Sequence, residues 1–168
     1  LDVLGGTSTG ALIALALSLR NKDGTERFTA SQVVQPYERR GTEIFPPSFR
    51  SALHTAVHAI RHKYSSRPFE RFLLDVFGAE SLQAAATNLL VTSFDTEAMQ
   101  PHCIKKRPVR GDWVNDGDYC MRDVARASAA APTYVPPAHI SPIGKEPEKF
   151  SLVEGAMFAN NPTPRIPA

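Results

Sequence analysis

The chain has 168 residues, of which 42% are hydrophobic and 21% charged, a composition that fits one globular domain and excludes a disordered segment. Its 19 Lys and Arg against 17 Asp and Glu leave a net charge of +2, too balanced for the concentrated basic face of a nucleic-acid-binding protein. Two cysteines, Cys103 and Cys120, are too few for a disulfide scaffold and lack metal-ligand spacing, so they read as reduced, partly buried thiols. No apolar run reaches transmembrane length, and the opening Leu1-Asp2-Val3-Leu4 has no basic region of a signal peptide, so a cytoplasmic or peripheral-membrane location is expected. Both ends read as cuts through a longer domain.

Residues 1–4 are mostly apolar and end at Gly5-Gly6, as the tail of a buried strand does. Ala11 to Leu19 is rich in Ala and Leu and apolar nearly all round, which predicts a buried helix. A second helix is predicted from Thr29, which has capping-box spacing to Gln32, to about Arg40 before Gly41, with Pro36 kinking it or shifting its start. Residues 42–65 hold Phe45-Pro46-Pro47 and a basic stretch with His54, His58 and His62, and read as a surface excursion. Phe69, Phe72, Leu73, Val76 and Phe77 form one apolar stripe at helical spacing, capped by Ser65 or Ser66, with Pro68 in its first turn and Gly78 as its stop. Leu89 to Phe94 is the best strand, with His102 to Lys106 as its neighbour. A helix is expected over Arg122–Ala131, ending at Pro132, and a short strand over Phe150–Val153 leading into Glu154-Gly155. Helices alternate with buried strands, so the class is α/β. Eight of the 14 prolines lie after residue 130, which makes that part rich in loops.

Gly6-Thr7-Ser8-Thr9-Gly10 matches G-x-S-x-G between an apolar strand and a helix. About 0.04 chance matches are expected in a chain of this composition, so strand–turn–helix context and count agree on a nucleophile elbow. In such an elbow the turn is expected to be too sharp for side chains at Gly6 and Gly10. The serine hydroxyl is pushed out of the sheet, beside the free N–H groups and positive dipole of a helix start. A Gly-rich turn can also be a plain connection or cradle a phosphate; no Lys follows Gly10, which excludes a Walker loop. A serine needs a base. His139, with Asp116 or Asp123 upstream, has the chain order of a Ser–Asp–His triad, although it lies in a Pro-rich stretch and a satisfied or exposed loop histidine is the favoured reading. His54, His58 and His62 share one face of a possible helix and read as a solvated or lipid-facing basic surface.

The stretch Gly5 to Leu15 resembles the elbow of the patatin-like phospholipases, a family of lipid acyl hydrolases. Ala125-Arg126-Ala127-Ser128-Ala129-Ala130-Ala131-Pro132 through Pro137 resembles a second block of that family, and Val153-Glu154-Gly155-Ala156 followed by Asn160-Asn161-Pro162 a third. Three blocks in order span almost the whole chain. The resemblance implies a three-layer α/β fold around a central, mostly parallel sheet, with residues 1–168 a partial catalytic domain whose N-terminal strand and oxyanion loop would precede Leu1. It implies a Ser–carboxylate dyad without histidine, acting through an acyl-enzyme on phospholipids or other acyl lipids, with no metal or cofactor.

Ser8 maps to the nucleophile and position 154 to the dyad carboxylate, where the family has Asp-Gly and this chain Glu154-Gly155. The two carboxyls differ in ordinary pKa by about half a unit, so basicity is preserved. Reach is not: Glu adds a methylene, and a base must sit about 2.6–3.2 Å from the hydroxyl. The Thr9 N–H is the one oxyanion donor that the elbow itself supplies. Asn160, Asn161 and Pro162 are expected to shape the loop after Glu154. Three readings follow: the dyad hydrolase, an α/β-hydrolase with a Ser8–Asp123–His139 triad, and a degenerate member that binds lipid without turnover. The basic segment 50–63 would suit peripheral contact with an anionic membrane.

Overall fold

A computed structural model describes residues 3–36, 66–106, 117–145 and 149–162. In chain order these hold strand β1 (Val3–Gly6), helix α1 (Thr9–Leu17), a helical stretch α2 over residues 30–36, helix α3 (Arg67–Phe77), strands β2 (Asn88–Asp95) and β3 (Gln100–Lys106), helix α4 (Met121–Ser128), and strands β4 (Ala138–Ile140) and β5 (Phe150–Glu154). The predicted surface excursion over 42–65, with His54, His58 and His62, lies outside the described residues, as do Asp116 and the expected end of the second helix near Arg40.

Local chemistry accounts for the helices. In α1, Ala11, Leu12, Ala14, Leu15 and Ala16 are all buried, as an all-round apolar helix requires. At α2 the capping box closes: the Gln32 N–H donates to Thr29 Oγ1 at 3.3 Å and the Thr29 N–H to Gln32 Oε1 at 2.9 Å. Helix α3 buries Phe69, Phe72, Leu73 and Phe77 along one stripe and stops at Gly78, whose φ of 55° suits glycine and whose N–H reaches the Leu74 carbonyl at 2.8 Å. Its N-cap, Ser66, makes no side-chain capping bond. Helix α4 is shorter than its apolar composition predicts and ends at Ser128. The helix cannot continue past Ser128 in the same pattern because the residue that would donate to its carbonyl is Pro132, which has no N–H, and the Ala130 carbonyl instead accepts the Glu154 N–H at 3.0 Å.

The α/β class stands, with helices packed on a central sheet. Among the described residues β1 pairs with β2 in parallel, while β2–β3, β2–β5 and β4–β5 are antiparallel, so this part of the sheet is mixed. A short turn joins β2 to β3, and only antiparallel strands can be connected that tightly. Strand β2 is the centre. β3 runs along one of its edges, from Leu89 to Asp95. The other edge is shared: β1 covers Asn88–Val91 and β5 covers Ser93–Asp95. Because β1 runs with β2 and β5 against it, the two strands point at each other. Their C-terminal ends, Gly6 opposite Val91 and Glu154 opposite Ser93, stop on either side of Thr92. Two residues of strand separate those levels, about 7 Å. The core of α1, α3 and α4 against β2 includes Leu15, Phe77, Val91 and Val124, each at most 1% exposed.

Candidate active site

Ser8 occupies the turn between β1 and α1 with φ 54° and ψ −125°, a conformation that an L-residue rarely adopts. Such geometry costs on the order of 1–3 kcal/mol and persists only where the surroundings over-determine it. Ser8 is the N-cap of α1, yet its side chain makes no capping bond. An ordinary N-cap serine turns its hydroxyl back onto the first helical N–H groups; here the hydroxyl is left for other work. The helix start is satisfied instead by backbone: the Ala11 N–H donates to the Ser8 carbonyl and the Gly10 N–H to the Thr7 carbonyl, both at 2.9 Å. The Thr9 N–H makes no hydrogen bond among the described residues.

The glycines divide. A methyl on Gly6 would lie far inside contact distance of the Gly10 carbonyl group and the Ala11 nitrogen, so glycine is required there. A methyl on Gly10 would meet nothing within 4 Å. The expected crowding at Gly10 is thus corrected: it sits in the first turn of α1 and is exposed. Gly155 is the second obligatory glycine, since a Cβ there would overlap Thr92 Oγ1 and the Thr92 carbonyl.

Thr92, fully buried at the meeting point of β1 and β5, is the centre of a network of neutral groups. Thr7 Oγ1 donates to the Ala159 carbonyl at 2.9 Å. A hydroxyl has one proton, so in the 2.6 Å contact between Thr7 Oγ1 and Thr92 Oγ1 the proton comes from Thr92. On the backbone side, Ser128 Oγ donates to the Thr92 carbonyl at 2.8 Å and accepts the Ser8 N–H at 3.0 Å. Two residues on, the Ala130 carbonyl accepts the Glu154 N–H. The elbow and the Glu154 loop are therefore tied together by Thr7–Ala159, by Thr92 and by the segment 128–130. Ser8 and Glu154 are both partly exposed, and no hydrogen bond joins Ser8 Oγ to the Glu154 carboxylate. The short helical turn Gly155–Met157 carries the chain from Glu154 to Ala159; Asn160 and Asn161 are exposed and Pro162 is buried.

The triad is not assembled. Asp123 and His139 line a cleft of about 510 Å³ with Glu70, Arg122, Arg126 and Pro136, and Ser8 is not among its walls. Asp123 lies five residues before Ser128 on α4, about 7.5 Å along the axis. Burial pushes its carboxyl above the usual carboxylate range, against the pull of Arg122, whose Nε lies 3.6 Å away. His139 is exposed on β4, opposite Ser151. His102 is buried on β3 with its ring 4.6 Å from that of Phe150. Cys103 and Cys120 are free thiols, half-buried as expected, and burial raises the Cys120 thiol above its ordinary range.

The family model described as Patatin-like phospholipase matches residues 1–165. The chain belongs to this family. It is 32% identical over 167 residues to Patatin-like protein 1 of Arabidopsis thaliana, covering 96% of this chain and 40% of that one. It is 31% identical over 159 residues to Patatin-17 of Solanum cardiophyllum, covering 93% and 38%. At 27% identity over 164 residues it also matches Probable inactive patatin-3-Kuras 1 of Solanum tuberosum, covering 96% and 41%. The chain thus spans about two-fifths of the length of the curated relatives it matches. Within the family's blocks, sequence reasoning singled out Ser8, Glu154, Gly6, Gly10 and Gly155 but missed Thr7, Thr92, Ser128, Ala130 and Ala159 as the parts that join them. The available signal was a hydroxyl-bearing residue, Thr92, inside the apolar run Leu89–Phe94.

Proposed function

We propose that this chain carries the catalytic centre of a serine lipid acyl hydrolase that cleaves ester bonds of phospholipids or other acyl lipids. Ser8 Oγ attacks the acyl carbonyl and Glu154 takes its proton. The Thr9 N–H donates to the oxyanion that develops, a role that normally needs more than one donor. Glu154 then returns the proton to the leaving alcohol, and water, deprotonated by the same carboxylate, releases the acyl group from Ser8. The reading uses no histidine, metal or cofactor. The observation that carries it is the conformation of Ser8: a strained N-cap serine whose hydroxyl caps nothing, placed where the ends of β1 and β5 converge. Contact with an anionic membrane through the basic segment 50–63 belongs to the same proposal on sequence grounds.

Fluorophosphonate labelling of the full-length protein tests it. Labelling is expected on Ser8 and lost in Ser8→Ala. Glu154→Gln is expected to lower ester turnover by about 10²–10⁴-fold, the usual contribution of a general base. Glu154→Asp, the family's own residue, should retain or raise it. No labelling, or labelling that survives Ser8→Ala, would sink the reading.

A second reading has one observation in its favour. The Ser8 hydroxyl and the Glu154 carboxylate are not hydrogen-bonded, and Glu154 replaces the family aspartate. A member that binds acyl lipid without turnover fits both facts. It predicts retention of lipid with no fatty acid released, and Glu154→Asp would then restore hydrolysis or leave it absent. Loose catalytic contacts are common before substrate binds, which is why the hydrolase reading stands first.

A further inference from the structure

The nucleophile's backbone is held by a side chain from a different element. Ser128 closes α4, is fully buried, and is 120 residues from Ser8 in sequence. Its hydroxyl is saturated in a fixed direction: the one proton goes to the Thr92 carbonyl at 2.8 Å, and a lone pair takes the Ser8 N–H at 3.0 Å. Both partners are backbone groups at the gap between β1 and β5. The Thr92 carbonyl lies on the residue that neither strand pairs with, and the Ser8 N–H belongs to the strained residue itself. A buried backbone group without a partner is costly, so the hydroxyl stands in for the strand that is missing at this one position. The same short segment then holds the other side of the gap through the Ala130 carbonyl and the Glu154 N–H, at 3.0 Å. One turn of chain, 128–130, thereby grips the backbone of both Ser8 and Glu154.

We propose that Ser128 is a positioning residue, whose bridging hydroxyl sets the reactive conformation of Ser8 and its separation from Glu154. This rests on the reading of Ser8 as a nucleophile. Ser128 touches no reacting atom; it acts through the Ser8 backbone. Only a group that donates and accepts at once can bridge a carbonyl and an N–H, so alanine cannot replace it, and the weak thiol of cysteine replaces it poorly. Threonine keeps the hydroxyl.

The test is the second-order rate of fluorophosphonate labelling at Ser8, with kcat and KM for an ester substrate and the melting temperature, all in the full-length protein. Misplacement of reacting groups by about 1 Å costs on the order of a hundredfold. Ser128→Ala is therefore expected to slow labelling and kcat by roughly ten- to a hundredfold with KM within about twofold. Ser128→Thr should recover most of the loss, which a packing role alone would not produce. If the alanine variant does not fold, Ser128→Cys fills the same space and should show the same slow labelling. A folded Ser128→Ala or Ser128→Cys variant that labels at the wild-type rate overturns the proposal, as does a threonine variant that folds yet is as slow as alanine. Failure of the wild type to label at Ser8 instead removes the nucleophile reading, and the two failures are distinct.

Discussion

The two sides of helix α4 teach opposite lessons. At its C-terminal end Ser128 joins a buried network of hydroxyls and backbone groups around Thr92, with no charge in it. Along its outer side Asp123, Arg122 and Arg126 face an open cleft with Glu70 and His139. The cleft has the residues that chemistry usually recruits, an acid and a histidine, but its serine, Ser66, is an unstrained N-cap of α3. The neutral junction has the strained serine. Titratable groups mark a site only where geometry delivers a reacting atom to them. Ser8 lies at the junction, beside the end of β5, where Glu154 pairs with Ser93, and the proposed function assigns the reacting atom there.

The largest expected effect comes from filling the junction. Gly155→Ala or Gly6→Ala places a methyl inside backbone atoms that cannot move aside, and each should destabilise by about 3 kcal/mol or more. Gly10→Ala should be neutral within about 0.5 kcal/mol or slightly stabilising, as a helical Gly-to-Ala change in open space is. Denaturant unfolding of the three variants measures the contrast, and equal losses at Gly6 and Gly10 would break it.

A smaller effect is expected from Thr92→Val, which keeps the shape and removes the hydroxyl that donates to Thr7. The loss should be about 1–2 kcal/mol, because Thr7 keeps its bond to Ala159. Thermal melting checks it, and an unchanged melting temperature would mean the network is ornamental.

The smallest effects belong to the cleft. His139→Ala is expected to leave labelling of Ser8 within about twofold, whereas a triad base contributes about 10²–10⁴-fold; a loss of that size would restore the triad. For Asp123 the sign is set by its raised folded-state pKa. The folded protein holds this proton more tightly than the unfolded chain, so stability falls as pH rises from the ordinary carboxylate range through the raised value. Above that window the cost of the half-buried charge is fully present. Asp123→Asn should therefore be no less stable than the parent at neutral pH, the gain limited to a few tenths of a kcal/mol by partial exposure and loss of the Arg122 pair. The difference should vanish below about pH 4. Melting curves from pH 3 to 7 decide it.

Much of the fold is legible in local pattern. The all-apolar run of α1, the stripe of α3 and the Thr29–Gln32 cap are written within a few residues of themselves, and the structure keeps each. The sheet's mixed direction is not, because an apolar strand reads the same whichever way its neighbour runs. Of the candidate site, the elbow is visible in five consecutive residues and Glu154 through resemblance. Ser128 and Thr92 are invisible as partners, since a hydroxyl bonded to a backbone 36 or 120 residues away leaves no periodicity. The open space at Gly10 is not legible either, because a motif letter does not reveal which of its glycines is crowded.

The end-to-end meeting of β1 and β5 has a consequence for how the molecule folds. The bond from Thr7 to Ala159 spans 152 residues, so the junction is among the least local parts of the chain. Contacts of that span close late, after more local structure has formed around them. Until β5 arrives, Ser93–Asp95 present a bare strand edge, the kind of surface that recruits other chains. Under the proposed function, a probe that labels Ser8 would count only chains in which the seam between β1 and β5 has closed.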